Sequence, residues 1–236
     1  MMQGLLDQTT VQIYWSNLRE CDQEMKRLID AAERYRYASF PHPADADRFL
    51  LSASLVRCIA GGYCSRPPRQ ILVDRRCARC GAPHGKPRIL GSQLQLSVSH
   101  SADWVGVACH IGAEVGLDVE HAHQRDLDQL VEHVLAPQER ELFLRLEPAD
   151  RPWGFLRFWT RKEAVVKATG DGLGVDPKNV VVSGPKQPPT LLSREFKPMR
   201  LYDLSAQPGH VAALAVRRAA HLNVEERAGL EVLAGA

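Results

Sequence analysis

The chain has 236 residues, 44 % of them apolar and 25 % charged, with a formal net charge of +2. That length carries one large domain or two smaller ones, each with its own core, and the composition excludes a disordered chain. So slight a basic excess gives no nucleic-acid footprint, no apolar run approaches the roughly 20 residues that span a bilayer, and residues Met1 to Trp15 lack the basic-then-apolar layout of a secretion signal.

The expectation is therefore a cytoplasmic protein that meets neither membrane nor nucleic acid, its six cysteines kept as reduced thiols. The basic residues are 23 Arg against 7 Lys. Arginine suits bidentate phosphate contacts, and genomic codon bias accounts for the same skew.

In chain order, Val11 to Trp15 alternates and predicts a first strand. Asp22 to Tyr37 is charged and predicts a helix. Asp45 to Ala60 predicts a second helix, capped by Asp45 and stopped by Gly61-Gly62, with Phe49, Leu50, Ala53 and Val56 on an apolar stripe. Ser65 to Arg88 reads as loop. Leu94 to Ser99 and Trp104 to Cys109 predict two strands joined by a turn at His100 to Asp103, and Val115 to Glu120 another strand.

Leu127 to Leu146 predicts helix, interrupted where Pro137 starts a second one. Phe155 to Thr169 predicts a helix ending at Gly170. Val180 to Ser183, Met199 to Leu204 and His210 to Val216 predict strands, and the last residues a helical or frayed tail. Mixed strands and helices in two halves that meet near Gly112 predict an α+β fold.

Four segments carry chemistry. In Gly116-Leu-Asp-Val-Glu120 the strand period puts Asp118 and Glu120 on one face. Two carboxylates on a fixed strand are half of a site for a hard cation such as magnesium; a solvated acidic face is the plainer alternative. In Trp159-Thr-Arg-Lys-Glu-Ala-Val-Val-Lys167, Glu163 and Lys167 share a helix face. They would be a surface ion pair, except that Phe155, Phe158, Trp159, Val165 and Val166 make the helix apolar nearly all round and therefore buried. A buried Glu and Lys need partners, and a metal ion and a phosphate would serve.

In Leu96-Ser-Val-Ser-His-Ser101, Ser99 and His100 sit where a strand enters a turn and can donate to phosphate oxygens, although turn capping explains them equally. No Gly-x-Ser-x-Gly elbow supports a serine hydrolase. In Pro83-His-Gly-Lys-Pro-Arg88, Lys86 and Arg88 could wrap a phosphate, outside any Walker A pattern. Separately, Cys77-Ala-Arg-Cys80 with His84 looks like part of a zinc knuckle. Structural zinc needs four ligands, and Cys64 is the nearby candidate for the fourth, so a reduced loop is the alternative.

The succession Gly85-Lys86-Pro87, Ser99-His100-Ser101, Gly116 to Glu120, and Trp159 to Lys167 followed by Gly170 and Gly172 resembles the 4′-phosphopantetheinyl transferases of the larger, Sfp-type class. The resemblance spans about Asp45 to Val182, with Ser97 standing where the family often has Asn.

It implies two similar α+β subdomains with pseudo-twofold symmetry, residues 1–112 and 113–236, with coenzyme A in the cleft between them. It implies magnesium, or manganese, held by Asp118, Glu120 and Glu163 and bridging the pyrophosphate. Glu163, directly or through a metal-bound water, would take the proton of a carrier-protein serine, and Lys167 would stabilise or protonate the leaving side. Lys86, Ser99 and His100 would hold phosphates, with Arg36 or Arg48 near the 3′-phosphate. The implied partners are coenzyme A and an apo acyl or peptidyl carrier protein, which an Arg-bearing surface between Gln124 and Leu146 would dock; the implied state is a monomer. A non-catalytic module that binds coenzyme A or carriers, or another magnesium-dependent phosphate-processing enzyme, are the competing readings.

Overall fold

The structure is a computed structural model that describes residues 8–77, 79–122, 127–170, 172–205, 207–218 and 220–235. Its elements are β1 (Thr10–Asn17), α1 (Ala31–Ala38), α2 (Pro43–Cys64), β2 (Val73–Asp74), β3 (Arg88–Ile89), β4 (Leu94–Ser101), β5 (Trp104–Ile111), β6 (Val115–His121), α3 (Leu127–Val134), α4 (Pro137–Leu144), α5 (Arg151–Thr169), β7 (Arg200–Asp203), β8 (His210–Val216), β9 (Asn223–Ala228) and α6 (Leu230–Leu233). The fold is α+β, in two compact units: Met1–Gly112 with Leu222–Ala236, and Ala113–His221.

The first unit is a six-stranded sheet in the order β2-β3-β4-β5-β1-β9. β4 and β5 form an antiparallel hairpin, β1 pairs antiparallel with β5, and β9 lies parallel to β1 with Thr10 opposite Asn223. The last residues, read above as a tail and as part of the C-terminal half, thus supply an edge strand and a short helix to the first unit. Leu222 and Val232 are buried there, and β9 shows little apolar alternation because its other residues are largely exposed.

The core of this unit is α2 against the sheet, with Leu50, Leu55, Val56 and Ile59 meeting Leu96, Val107 and their neighbours. α2 starts at Pro43, which suits the first helical position, leaving Asp45 inside the first turn. It runs through Gly61-Gly62 to Cys64, because packing along thirteen buried residues outweighs the roughly 1 kcal/mol that each helical glycine costs.

The single helix expected over Asp22 to Tyr37 is broken in two. Asp22 caps a 3₁₀ turn at Gln23–Arg27, and Asp30 starts α1 by accepting from Glu33 N at 2.9 Å. Arg57, fully buried in α2, pairs with both Asp30 and Glu33 and donates to the Ile71 carbonyl at 2.9 Å. The loop after α2 contains the two short strands β2 and β3, too brief for a sequence period to reveal.

The second unit is a three-stranded antiparallel sheet, β6-β8-β7, with α5 laid across β6 and β8. α5 begins four residues earlier than its apolar pattern suggests, with Pro152 in its first turn. Its buried residues include Phe155, Phe158, Val165 and Val166, but also Arg161 and Lys162. Arg161 pairs with Asp203 at 2.6 Å and donates to the carbonyls of Ser183, Gly184 and Gln187. Lys162 meets Glu139 at 2.5 Å and donates to the carbonyls of Pro177 and Val180, both at 2.8 Å. Glu139 in turn accepts from Ala136 N and Val182 N. Both cations are thus hydrogen-bonded pins that fix α5 against α4 and the segment 177–187. That segment holds an isolated bridge, Val182 to Leu191, in place of the strand expected over Val180 to Ser183.

Candidate functional site: three carboxylates and a lysine

β6 and α5 position four functional side chains because their periods match. Two strand residues advance about 6.7 Å and four helix residues about 6 Å, so alternate positions of a strand face every fourth position of a helix lying along it. Gly116, Asp118 and Glu120 share one face of β6 with Trp159, Glu163 and Lys167 along α5. Trp159 Nε1 donates to Glu120 Oε1 at 3.3 Å, and Lys167 Nζ donates to Asp118 Oδ1 at 2.7 Å.

Gly116 makes the approach possible. A Cβ there would sit 1.9 Å from the Ala164 carbonyl oxygen and 2.4 Å from Ala168 N, both backbone atoms of α5. Any side chain at this position would lift the helix off the strand.

The acidic face of β6 is therefore partly covered: Asp118 is 4 % exposed and Glu120 half-buried. Lys167 pairs with Asp118 across the interface with β6 in place of the ion pair along the helix that its spacing from Glu163 also allows. Burial pushes the Glu163 carboxyl above the ordinary glutamate range, and the neighbouring Asp118 and Glu120 charges push the same way, against the pull of Lys167. Glu163 on α5 is therefore near enough to the β6 pair Asp118 and Glu120 to feel their charge.

An all-oxygen set of three carboxylates facing one ammonium fits a hard divalent cation, whose charge would balance the excess. The set is open. Among the described residues the group of three ligand-type side chains with ligand atoms all within 4.8 Å of one another is Cys77, Cys80 and His84, not these acids. Openness suits magnesium, which commonly takes one or two carboxylates directly and keeps water on the rest of its shell.

The remaining sequence candidates lie in the first unit. Arg36 donates to the Pro83 carbonyl, which ties α1 to the Gly85-Lys86-Pro87 loop, and it stacks 5.0 Å from the Phe49 ring. Arg48 donates to Asp45 Oδ1 at 2.6 Å and to the Ala102 carbonyl at 2.7 Å, at the β4–β5 turn. α1, the start of α2, the Lys86 loop and the end of β4 are thus linked by two arginines.

His100, expected in the turn, departs from expectation, whereas Ser99 lies in the strand as expected. β4 runs on to Ser101, and the turn is the pair Ala102-Asp103, with Ala102 at φ 48°. Both residues are in the strand, so they face opposite sides of the sheet: Ser99 is buried, whereas His100 is exposed on the face that carries α2. They cannot act as one hydroxyl–imidazole pair. Cys64 packs against the first unit's core and is no fourth ligand to Cys77, Cys80 and His84. Gln124, Arg125 and Asp126, in the proposed docking stretch, lie outside the described residues.

Sequence reasoning missed the buried Arg57, Arg161 and Lys162. The one signal was a basic pair inside an otherwise apolar helix.

The family model described as the 4′-phosphopantetheinyl transferase superfamily matches residues 114–216, the second unit almost entirely. The 4′-phosphopantetheinyl transferase HetI of Nostoc sp. (strain PCC 7120) is 30 % identical over 195 residues, 82 % of this chain and 81 % of that protein. Psf-1 of Bacillus pumilus is 29 % identical over 213 residues, 86 % and 85 % of the two chains. Sfp of Bacillus subtilis (strain 168) is 24 % identical over 212 residues, 88 % and 89 % of the two. With identity extending over four-fifths of both chains, and with the family model matching the residues that carry β6 and α5, the chain belongs to the 4′-phosphopantetheinyl transferases, in their larger, Sfp-type class.

Proposed function

We propose that this enzyme transfers the 4′-phosphopantetheine of coenzyme A to a serine of an apo acyl or peptidyl carrier protein in the cytoplasm, as a monomer, with magnesium and with release of 3′,5′-adenosine bisphosphate. The observation that carries the reading is the pairing of β6 with α5, in which Lys167 meets Asp118 at 2.7 Å and Trp159 meets Glu120 at 3.3 Å, with Glu163 between them on α5.

Asp118, Glu120 and Glu163 are the residues that would hold the metal, which when bound neutralises and orients pyrophosphate oxygens. The chain's own groups do the rest. Trp159 holds Glu120 in place through its indole N–H. Glu163 takes the serine proton on a carboxylate oxygen as the serine Oγ attacks the β-phosphorus. The bond from that phosphorus to the oxygen bridging to the adenosine side breaks, and Lys167 Nζ supplies charge or a proton to that oxygen. Lys86, Ser99 and His100, with Arg36 or Arg48, would hold the coenzyme's other phosphates.

The carrier docks on α3 and α4. A groove there is lined by Val131, Phe143 and Leu144, with Arg140, Arg151 and Glu132 on its rim; Arg140 pairs with Glu132 at 3.8 Å, which leaves Arg151 as the rim cation for an acidic carrier.

The test incubates the enzyme with coenzyme A, magnesium and an apo carrier, and reads carrier mass. One added phosphopantetheine per carrier is expected, abolished by chelation and by Asp118→Ala in a protein that still folds. Normal turnover by Asp118→Ala at saturating magnesium removes the metal role; hydrolysis of coenzyme A without transfer removes the carrier.

A further inference from the structure

Cys77, Cys80 and His84 belong to neither the carboxylate site nor the phosphate contacts. Their ligand atoms lie within 4.8 Å of one another, and Cys80 Sγ is 3.0 Å from His84 Nε2. The backbone builds this cluster. Cys77 N donates to Ala82 O at 2.9 Å, Gly81 N to Cys77 O at 2.8 Å, and Gly85 N to Arg75 O at 2.7 Å, so the segment closes on itself. Gly81 takes φ 74°, which reverses the chain immediately after the second cysteine and which a side chain would strain.

Two thiolates and an imidazole form a soft-to-borderline donor set, the kind that selects zinc over magnesium. A tetrahedral zinc at roughly 2.3 Å from sulfur and 2.0–2.1 Å from nitrogen places its ligand atoms roughly 3.5–3.8 Å apart. Small side-chain rotations would bring the cluster, now with ligand atoms within 4.8 Å of one another, to those separations. Cys80 and His84 are exposed and Cys77 half-buried, which gives an ion an entry path and leaves a fourth position for water.

We propose that Cys77, Cys80 and His84 bind one zinc ion, with water as the fourth ligand. Binding forms two Zn–S bonds and one Zn–N bond and releases the two thiol protons to solvent. The ion ties residues 77 to 84 into a ring placed directly ahead of Gly85-Lys86-Pro87.

The full chain, purified under reducing conditions without chelator, is analysed for zinc. One zinc per chain is expected, falling at least tenfold in C77S/C80S and in H84A, and unchanged in C64S. Cobalt(II) added to the metal-stripped native protein is expected to give a thiolate-to-cobalt charge-transfer band absent from C77S/C80S. Thermal melting shows whether each variant folds; if the double variant does not, H84A and the cobalt spectrum of the native chain decide. Native protein that takes up no zinc from an equimolar solution, a Cys77–Cys80 disulfide persisting in reductant, or equal zinc in native and C77S/C80S protein would overturn the proposal.

Discussion

Gly116→Ala tests the link between packing and chemistry. The added methyl meets backbone, with 1.9 Å to the Ala164 oxygen and 2.4 Å to Ala168 N, where real Cβ contacts essentially never fall below 3.0 Å. α5 must retreat by about 1 Å, because neither atom can rotate away as a side chain would, and overpacking of this kind costs about 1–3 kcal/mol. For a chain of this size that lowers Tm by roughly 2–12 °C. The larger effect is on the site. Lys167 Nζ sits 2.7 Å from Asp118 Oδ1, and a retreat of about 1 Å takes that pair beyond hydrogen-bonding distance. A displacement of this size at reacting groups costs about 100-fold in rate. The assay is carrier phosphopantetheinylation with Tm measured alongside, at a temperature where the variant remains folded. The expected result is a fall in kcat much larger than the stability loss explains. Native kcat and native Tm would refute the reasoning, since the helix would then have absorbed the methyl without moving the site.

Lys162→Met should destabilise by about 3–5 kcal/mol by leaving the Glu139 charge buried and unpaired, read by urea unfolding. K162M/E139Q should recover much of that loss, and a fully stable single variant would show that the pin is dispensable. Burial pushes the thiols of Cys58 and Cys109 up to about 12 from 9.0. Below pH 9.0 both states keep these protons; above it the unfolded chain loses them first, so folding stability should fall between pH 9.0 and about 12. The same two thiols should resist alkylation at pH 8 until denaturant is added, and rapid labelling of the native chain by mass spectrometry would contradict this. Charge reversal at Arg140 and Arg145 should raise KM for the carrier with little change in KM for coenzyme A; unchanged carrier KM would put the docking surface elsewhere.

The second unit was the more legible in sequence because its site consists of regular elements with matched periods. Gly116 to Glu120 and Trp159 to Lys167 declare their faces through spacing of two and four. What spacing could not supply was the partner of each charge: Lys167 turned to the strand and not along its own helix, and Lys162 and Arg161 went into the interior. A cation's burial depends on carbonyls and carboxylates far away in sequence, such as Glu139 and Asp203, which no local pattern announces. The first unit was less legible for the same reason. Asp30 looked like one more helical charge until its bonds to Glu33 N and Arg57 made it a cap. β9 read as a tail because an exposed edge strand carries little apolar pattern, and His100-Ser101 read as a turn because the reversal at Ala102 uses neither glycine nor asparagine.

The parallel pairing of β9 with β1 has a consequence for synthesis. The second unit is a continuous insertion between β5 and β9, so on the ribosome it is complete while the sheet begun by β1 still has an open border. Backbone donors and acceptors along the outer side of β1 wait for Asn223 to Ala228 to emerge. Until then that border is a template for any extended chain nearby. A nascent or prematurely ended product lacking these residues should therefore be more prone to aggregate than its nearly full-length, well-packed interior suggests.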